Sequence, residues 1–376
     1  MPEVLAAVMP GPNKPIELRS FPEPELEPGA ALLEVELSEV CGTDVHLRAG
    51  RLGGVPYPII PGHVTVGRLE RIRGRFVDVD GARLKEGDRV TFLDVHGTCN
   101  ACWYCLVAKA STCCPQRRVY GITYGVEDGL TGGWAEKVYL KPATRCLPLN
   151  DVPPEAFMAG GCGLPTALHA VERAQILPGD TVLVQGTGPV GLSAIILARR
   201  NGAARVLAIG APENRLAAAT LVGAANVLNI ETAPANERIE WVLQMTGGRG
   251  ADITIEAAGA PGAVVEAMRA TRDAGRIVVA GQYTDHGEVS FNPHTDLNRK
   301  HLEIRGCWGS DYSHFHRGVE FLRDPDMAEA WGRLSLARYP LRQAEEAIDQ
   351  VAAGRVIKAL IDPQDRNQAS GDQPAR

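Results

Sequence analysis

The chain has 376 residues, of which 45% are hydrophobic and 22% charged, and its formal net charge is −6. This length predicts two domains, and the acidic balance excludes the basic surface that a nucleic-acid-binding protein needs. No stretch approaches the roughly 20 apolar residues of a membrane-spanning helix, and the N-terminal segment lacks the basic start and apolar run of an export signal. We therefore expect a cytoplasmic enzyme that binds neither nucleic acid nor a membrane.

The N-terminal part of the chain, up to about residue 160, is rich in Gly and Pro. Its apolar residues lie in short β-branched runs such as 31–37 and 88–92, and turn signals at 86–88 and 128–129 separate such runs. This pattern predicts an all-β, barrel-like domain with long loops.

From about Pro165 onward, short buried strands alternate with Ala- and Leu-rich helical segments. The predicted strands are 181–184, 205–209, 252–255 and 276–279, and the predicted helices lie near 190–201, 213–222 and 262–272. Such alternation predicts a parallel sheet with right-handed crossovers. It stops near residue 307, after which 343–361 reads as a helix followed by a strand, and the polar tail from Pro363 is predicted to be disordered.

Nine cysteines in a chain without an export signal favour thiolate chemistry over disulfides. Four of them fall in one compact segment with the spacing expected of a structural zinc site: Cys99, Cys102, Cys105 and Cys113. The neighbouring Cys114 is interpreted as a bystander. A nucleic-acid-binding finger is the competing use of four cysteines, and the acidic charge argues against it.

A G-x-G-x-x-G motif follows the first predicted strand of the alternating region and opens a helix, which is the context that a dinucleotide-binding loop requires. It consists of Gly186, Gly188 and Gly191, with Pro189 and Val190 between the last two glycines. Gly186 is expected to permit the tight turn, Gly188 to let the backbone approach a pyrophosphate, and Gly191 to allow close packing of helix and strand. The helix N-terminus would supply N–H donors to the phosphates.

The end of the next predicted strand bears on the choice between NAD and NADP. Gly210 stands where an NAD-specific site usually has an acidic residue, and Arg215 is able to pair with a 2′-phosphate. Against NADP, Glu213 lies in the same loop, and no basic cluster precedes Arg215. The sequence slightly favours NAD and leaves NADP open.

Three further motifs are weak individually: Cys41-Gly42-Thr43-Asp44-Val45-His46, Gly62-His63, and Gly161-Cys162-Gly163-Leu164-Pro165-Thr166. Together with the cysteine cluster and the dinucleotide loop, in this order, they resemble the zinc-dependent medium-chain dehydrogenase/reductase family, which is alcohol dehydrogenase-like. The resemblance covers about residues 25–362.

The resemblance implies a GroES-like β-barrel catalytic domain (α/β plus β overall) with an inserted Rossmann domain, a doubly wound parallel sheet. We expect the catalytic domain at 1–162, with a zinc lobe at about 96–115, and the Rossmann domain at 163–306. Residues 307–376 would return to the catalytic domain and end in the disordered tail.

The resemblance also implies that Cys41, His63 and Cys162 hold a catalytic zinc ion. Two thiolates and one imidazole leave the fourth coordination position open, as catalytic zinc requires. Asp44 would orient His63 by accepting a hydrogen bond from its far ring nitrogen.

Four more residues receive roles from the resemblance. Thr43 would contact the substrate oxygen and pass a proton, through the ribose hydroxyl, to His46 and solvent. Thr166 would lie at the nicotinamide. Lys358 would lie near the pyrophosphate, and a solvated lysine at a helix end is the alternative for it.

One position departs from the family pattern, which has Glu after the zinc-binding His where this chain has Val64. A valine cannot act as a metal ligand, so exchange of ligands through this residue is excluded.

These features predict a zinc-dependent oxidoreductase that transfers hydride between a primary or secondary alcohol, or the matching aldehyde or ketone, and NAD or NADP. It would hold two Zn²⁺ per chain and act as a homodimer or homotetramer. One alternative is a zinc lyase or epimerase-like member that recycles its nicotinamide within each turnover. Another is a regulatory protein without activity on the same scaffold.

Overall fold

The computed structural model describes residues 2–365. The chain forms two compact units, one made of Met1–Met158 and Leu336–Arg376 and the other of Ala159–Ser335. In sequence, the second unit is inserted into the first.

The first segment of the first unit contains β1 Glu3–Val8, β2 Glu17–Pro22, β3 Ala31–Val40, α1 Gly42–Arg48, β4 Thr65–Ile72, β5 Arg89–Phe92, β6 Val95–Gly97, α2 Trp103–Leu106, β7 Arg118–Val119, β8 Lys137–Leu140 and β9 Cys146–Pro148. Helix α3, Pro154–Gly160, contains the boundary between the two units. The second unit continues with α4 Gly163–Ala174, β10 Thr181–Gln185, α5 Pro189–Arg200, β11 Arg205–Gly210, α6 Glu213–Leu221, β12 Asn226–Asn229, α7 Ala235–Met245, β13 Ala251–Glu256, α8 Pro261–Ala270, β14 Thr271–Val279, β15 Glu303–Gly306, α9 Tyr312–Leu322 and α10 Pro325–Gly332. The chain ends with β16 Leu336–Pro340, α11 Ala344–Ala352 and β17 Lys358–Asp362.

The main sheet of the first unit has the strand order β16-β17-β3-β4-β5-β9, with β8 also paired to β3. Strand β3 is antiparallel to β4, β8 and β17, so it is central to this sheet. Its alternate residues Ala31, Leu33 and Val35 lie in one hydrophobic core cluster with residues of β4, β5 and β8. The burial of one face explains why the apolar alternation over 31–37 was readable in the sequence.

The sheet of the second unit is parallel and has the order β12-β11-β10-β13-β14-β15. The chain runs outward from β10 to β12 on one side and then resumes at β13 on the other. This reversal beside β10 is the switch point at which doubly wound sheets bind ligands, outside the carboxyl ends of their strands. The predicted Rossmann-type sheet is confirmed.

The return to the first unit comes later than the expected boundary at 307. Helices α9 and α10 belong to the second unit, where Trp331 is fully buried and its Nε1 donates to Ser193 Oγ of α5 at 3.1 Å. The strand–helix alternation does stop near 307, but these two helices still pack on the second unit, which the pattern alone did not reveal.

The predicted disorder from Pro363 concerns mostly residues 366–376, which lie outside the described residues. Within the described part, Gln364 is held in place, because its Nε2 donates to the carbonyl of Val35 at 3.2 Å. Within residues 2–365, no helix combines the length and the apolar character needed to cross a membrane.

Candidate active site and nucleotide pocket

Cys41 is the N-cap residue of α1, directly after strand β3, and it is 3% exposed. Its Sγ accepts a hydrogen bond from the backbone N–H of Thr43 at 3.3 Å, and its own N–H donates to Asp44 Oδ2 at 2.8 Å. These two bonds form a capping box, which fixes the start of the helix and the position of the thiol.

His63 is placed by a turn that only glycine accommodates easily. Gly62 has φ +91°, and a Cβ at this position would lie 2.5 Å from Ser38 Oγ and 2.6 Å from Trp134 Cδ1. The His63 ring is buried, and its Nε2 lies 3.9 Å from Cys41 Sγ.

The three predicted ligands come together. One side-chain ligand atom from each of Cys41, His63 and Cys162 lies within 4.8 Å of the other two. Two sulfurs and one imidazole nitrogen are a donor set that zinc prefers, and three protein ligands leave one position for water or substrate.

The charges around the three residues also suit a cation. Burial alone would lower the pKa of His63, but the Cys41 thiolate and the Asp44 carboxylate raise it to about 10. Burial and the Cys41 thiolate raise the pKa of Asp44. The Cys41 thiolate and the Asp44 carboxylate are both negative, so each makes it harder for the other to ionise. A divalent cation bound here would balance these charges and stabilise the ionised forms.

The expected hydrogen bond from His63 to Asp44 is wrong for this structure. Asp44 Oδ2 bonds to the Cys41 N–H instead, and neither Asp44 Oδ1 nor His63 Nδ1 has a hydrogen-bond partner among the described residues. The reason is local, because Asp44 is the third residue of α1 and its carboxylate turns back to the N-cap.

The residues expected to move the proton and contact the nicotinamide lie on two helices, α1 and α4. Thr43 and His46 are both half-buried and lie three residues apart on α1, so they share one face of the helix. Thr166 lies in the first turn of α4, where its Oγ1 donates to the Cys162 carbonyl at 2.9 Å.

Val64 is buried and offers no carboxylate where the family pattern has one. The Val64 carbonyl accepts from the N–H of Glu39 on β3 at 2.9 Å. Glu39 is fully buried and forms an ion pair with the Nζ of Lys358 on β17. Glu39 was not singled out in the sequence, since an acidic residue near a strand end is more often exposed.

Lys358 is therefore not the solvated lysine of the alternative interpretation. It is 2% exposed and begins β17, and Glu39 balances its charge. Its expected contact with the pyrophosphate stays a prediction.

The cysteine lobe brings together Cys99, Cys102, Cys105 and Cys114, whose sulfurs all lie within 4.8 Å of one another. The prediction of Cys113 as the fourth member is wrong. Cys113 ends a 3₁₀ turn, Ser111–Cys113, and is exposed, whereas Cys114 is buried with its Sγ 3.6 Å from that of Cys99. The Ala101 N–H and the Cys102 side chain lower the pKa of Cys99 to about 7, which favours the thiolate that a metal binds.

The G-x-G-x-x-G loop has the predicted geometry. Gly186 has φ +93°, and a Cβ on Gly191 would lie 1.8 Å from the Gly186 carbonyl oxygen. A Cβ on Gly188, the N-cap of α5, would meet open space. Pro189 is the first residue of that helix, followed by Val190.

Beside this loop lies a cavity of about 380 Å³ within the second unit. Its lining includes Gln185, Gly186, Thr187, Gly188, Gly210, Arg215, Arg238 and Glu266. The cavity lies where β10, β11 and β13 end, which is the position expected for the adenosine part of a dinucleotide. Arg238 and Glu266 were not predicted as lining residues, because they come from helices α7 and α8.

Comparison with known proteins agrees with this description. Residues 27–151 match the family model of the alcohol dehydrogenase GroES-like domain, and residues 189–324 match that of the zinc-binding dehydrogenases. The chain is 33% identical to 5-exo-hydroxycamphor dehydrogenase of Pseudomonas putida over 360 residues, 95% of this chain and 98% of that protein. The chain belongs to the zinc-dependent medium-chain dehydrogenase/reductase family. The first unit thus contains the GroES-like domain and the second the Rossmann domain of this family.

Two solved structures show the same fold. An alcohol dehydrogenase of Thermotoga maritima matches with a TM-score of 0.90 and 32% identity, covering 97% of this chain and all of that one. A protein of Sinorhizobium meliloti, described as a zinc-binding dehydrogenase and solved with bound NADP, matches with a TM-score of 0.81 and 25% identity, covering 96% of this chain and all of that one. Together with the relative from Pseudomonas, they identify the chain as an alcohol oxidoreductase.

Proposed function

We propose that this protein is a zinc-dependent dehydrogenase that interconverts a primary or secondary alcohol with the matching aldehyde or ketone, using NAD or NADP. The observation that carries the proposal is the convergence of Cys41, His63 and Cys162 on one small volume. Two thiols and one imidazole, of which Cys41 and His63 are buried and Cys162 is half-buried, form the donor set of a catalytic zinc site.

Zinc held by these three residues would polarise the substrate oxygen as a Lewis acid, and a bound nicotinamide would accept or donate the hydride. The chain's own contribution is to fix the ligands. The capping box holds Cys41, and the Gly62 turn holds His63. Val64 provides no further ligand at this site.

We propose that Thr43 holds the substrate hydroxyl and that His46 releases the substrate's proton to solvent; the ribose hydroxyl of a bound dinucleotide would supply the link between the two residues. The two residues share one face of α1. An imidazole suits the last step because its ordinary pKa lies close to neutral.

For the dinucleotide, we propose that the Gly186–Gly191 loop and the N-terminus of α5 bind the pyrophosphate. Thr166 would contact the nicotinamide end, Lys358 the pyrophosphate, and Arg215 the adenosine end. The open space at Gly188 supports this assignment, since a phosphate there would meet backbone N–H groups and no side chain.

A second zinc, held by Cys99, Cys102, Cys105 and Cys114, would have a structural role, since four thiolates leave no position for substrate. None of the nine cysteines forms a disulfide, which fits a reducing compartment such as the cytoplasm. The family resemblance supports a homodimer or homotetramer.

The test is a screen of primary and secondary alcohols with each nicotinamide cofactor, followed by the absorbance of the reduced form. The proposal predicts net accumulation of reduced cofactor with at least one alcohol. A lyase or epimerase that recycles its nicotinamide would convert substrate with no net reduction, and a regulatory protein would convert none; either result would overturn the proposal.

A further inference from the structure

The cavity in the second unit contains a positive charge that no side chain among residues 2–365 balances. Its charged lining residues are Arg215, Arg238 and Glu266. Arg238 Nη2 lies 2.5 Å from Glu266 Oε2, and the Arg238 Nε donates to both carboxylate oxygens. Glu266 also accepts from Gln185 Nε2 at 3.2 Å. This carboxylate is therefore fully engaged and offers nothing to the third charged residue.

Arg215, in the first turn of α6, has no carboxylate partner among the described residues, and its Nε is buried without a hydrogen bond. Burial lowers the pKa of this guanidinium, and no neighbouring charge offsets the effect. A guanidinium that is partly removed from water without a counter-ion is costly unless an anion arrives to pair with it. Phosphate is an anion that the planar guanidinium can bind through two parallel hydrogen bonds.

A second polar group faces the same cavity without a partner. Thr187 follows β10 and is 2% exposed, and its Oγ1 has no hydrogen bond within the described chain. Gly210, at the end of β11, lies directly against this hydroxyl, since a Cβ on Gly210 would be 2.2 Å from Thr187 Oγ1. A carboxylate side chain at position 210, which would bind a ribose diol and repel a 2′-phosphate, has no room unless Thr187 moves.

Glu213 was the residue that favoured NAD in the sequence. In the structure it is exposed and accepts from Asn229 Nδ2 at 3.3 Å, and it is not part of the cavity lining. Glu213 therefore gives no support to NAD over NADP.

We propose that this cavity binds the adenosine 2′-phosphate of NADP, with Arg215 as its charged ligand, so that the enzyme prefers NADP to NAD. The inference rests on the proposed function, because it assigns the form of the dinucleotide to a site that must first bind one.

The test is calorimetric titration of the full chain with NADP⁺, NAD⁺, 2′,5′-ADP and 5′-AMP, without substrate. We expect NADP⁺ to bind about tenfold or more tightly than NAD⁺, as one additional charge-assisted contact would give, and 2′,5′-ADP to exceed 5′-AMP similarly. Equal or tighter binding of NAD⁺ would overturn the inference and leave the proposed function intact. Failure of every nucleotide to bind would overturn both.

Single substitutions test whether Arg215 is responsible for the preference for NADP. Arg215→Gln should reduce NADP⁺ affinity about tenfold or more and NAD⁺ affinity by a clearly smaller factor, and Arg215→Lys should retain part of the preference. Arg333→Gln is the matched control, because Arg333 lies in the same unit and pairs with Glu329 on the surface at 2.8 Å. A preference that survives in Arg215→Gln, or that is lost in Arg333→Gln, would contradict the assignment.

Discussion

The two thiol clusters of this protein differ in how the chain builds them. The cluster of Cys99, Cys102, Cys105 and Cys114 comes from one short loop, and it offers four ligands. The other cluster, Cys41, His63 and Cys162, draws on residues far apart in the chain and offers three ligands.

The difference concerns what positions each ligand. In the loop, Cys113 and Cys114 are adjacent, and spacing alone allows either to be the fourth ligand. The 3₁₀ turn leaves Cys113 exposed, whereas Cys114, which follows it, is buried. In the dispersed cluster, a helix cap fixes Cys41 and a glycine turn fixes His63. Four protein ligands complete the coordination of a structural zinc ion, whereas three leave one position open for substrate at a catalytic zinc ion.

The largest expected effect comes from removing a member of the dispersed cluster. Cys41→Ser should lower turnover about 10³-fold or more, because Lewis-acid activation supplies several kcal/mol of transition-state stabilisation. Dinucleotide affinity should not change, since the nucleotide cavity is lined entirely by the second unit. Steady-state rates and calorimetric titration measure the two quantities. Full activity in Cys41→Ser would show that the cluster is not catalytic.

The next largest effect is expected in the loop that contains the four clustered cysteines. Cys114→Ser should remove one zinc per chain and lower the free energy of unfolding by about 4 kcal/mol, since loss of a structural metal is among the largest single-residue effects. Cys113→Ser is the matched control and should retain both zinc ions and wild-type stability. Elemental analysis and denaturant unfolding measure these quantities. The opposite behaviour of the two variants would mean that Cys113 is the ligand after all.

A somewhat smaller effect is expected at the ion pair between Lys358 and Glu39, of which Glu39 lies two residues before Cys41 in the chain. Lys358→Met should lower the free energy of unfolding by about 3 kcal/mol, because it leaves the Glu39 carboxylate buried without a counter-charge. Lys358→Arg preserves the charge and should be milder. Urea unfolding measures both variants. Wild-type stability of Lys358→Met would mean that this pair does not support the end of β3.

The smallest effect concerns Asp44. If it acts by capping α1, Asp44→Ala should cost about 1 kcal/mol of stability and Asp44→Asn clearly less, because asparagine keeps an acceptor for the Cys41 N–H. Thermal unfolding at one pH compares the two variants. Equal losses in both would indicate that the negative charge matters and the cap does not.

Much of this molecule was predictable because local physical rules fixed it. The G-x-G-x-x-G loop was recognised because its glycines are required by a left-handed turn at Gly186 and a close approach at Gly191. The strands around it were recognised because burial on both faces leaves continuous apolar runs.

The errors came from contacts that spacing does not encode. The choice between Cys113 and Cys114 depends on the direction in which one turn points each side chain. The buried pair of Glu39 and Lys358 joins strands at opposite ends of the sequence, and nothing local distinguishes either residue from an exposed one. Similarly, the packing of Trp331 against Ser193 moved the domain boundary beyond the place where the sequence pattern changes.

The central claim is that Cys41, His63 and Cys162 together bind one zinc ion. Its most direct test is a crystal structure of the zinc-loaded protein with anomalous diffraction measured on both sides of the zinc absorption edge. We expect one anomalous peak within bonding distance of these three side chains and a second among Cys99, Cys102, Cys105 and Cys114. A zinc-loaded crystal with a peak in the cysteine lobe and none at the dispersed cluster would contradict it.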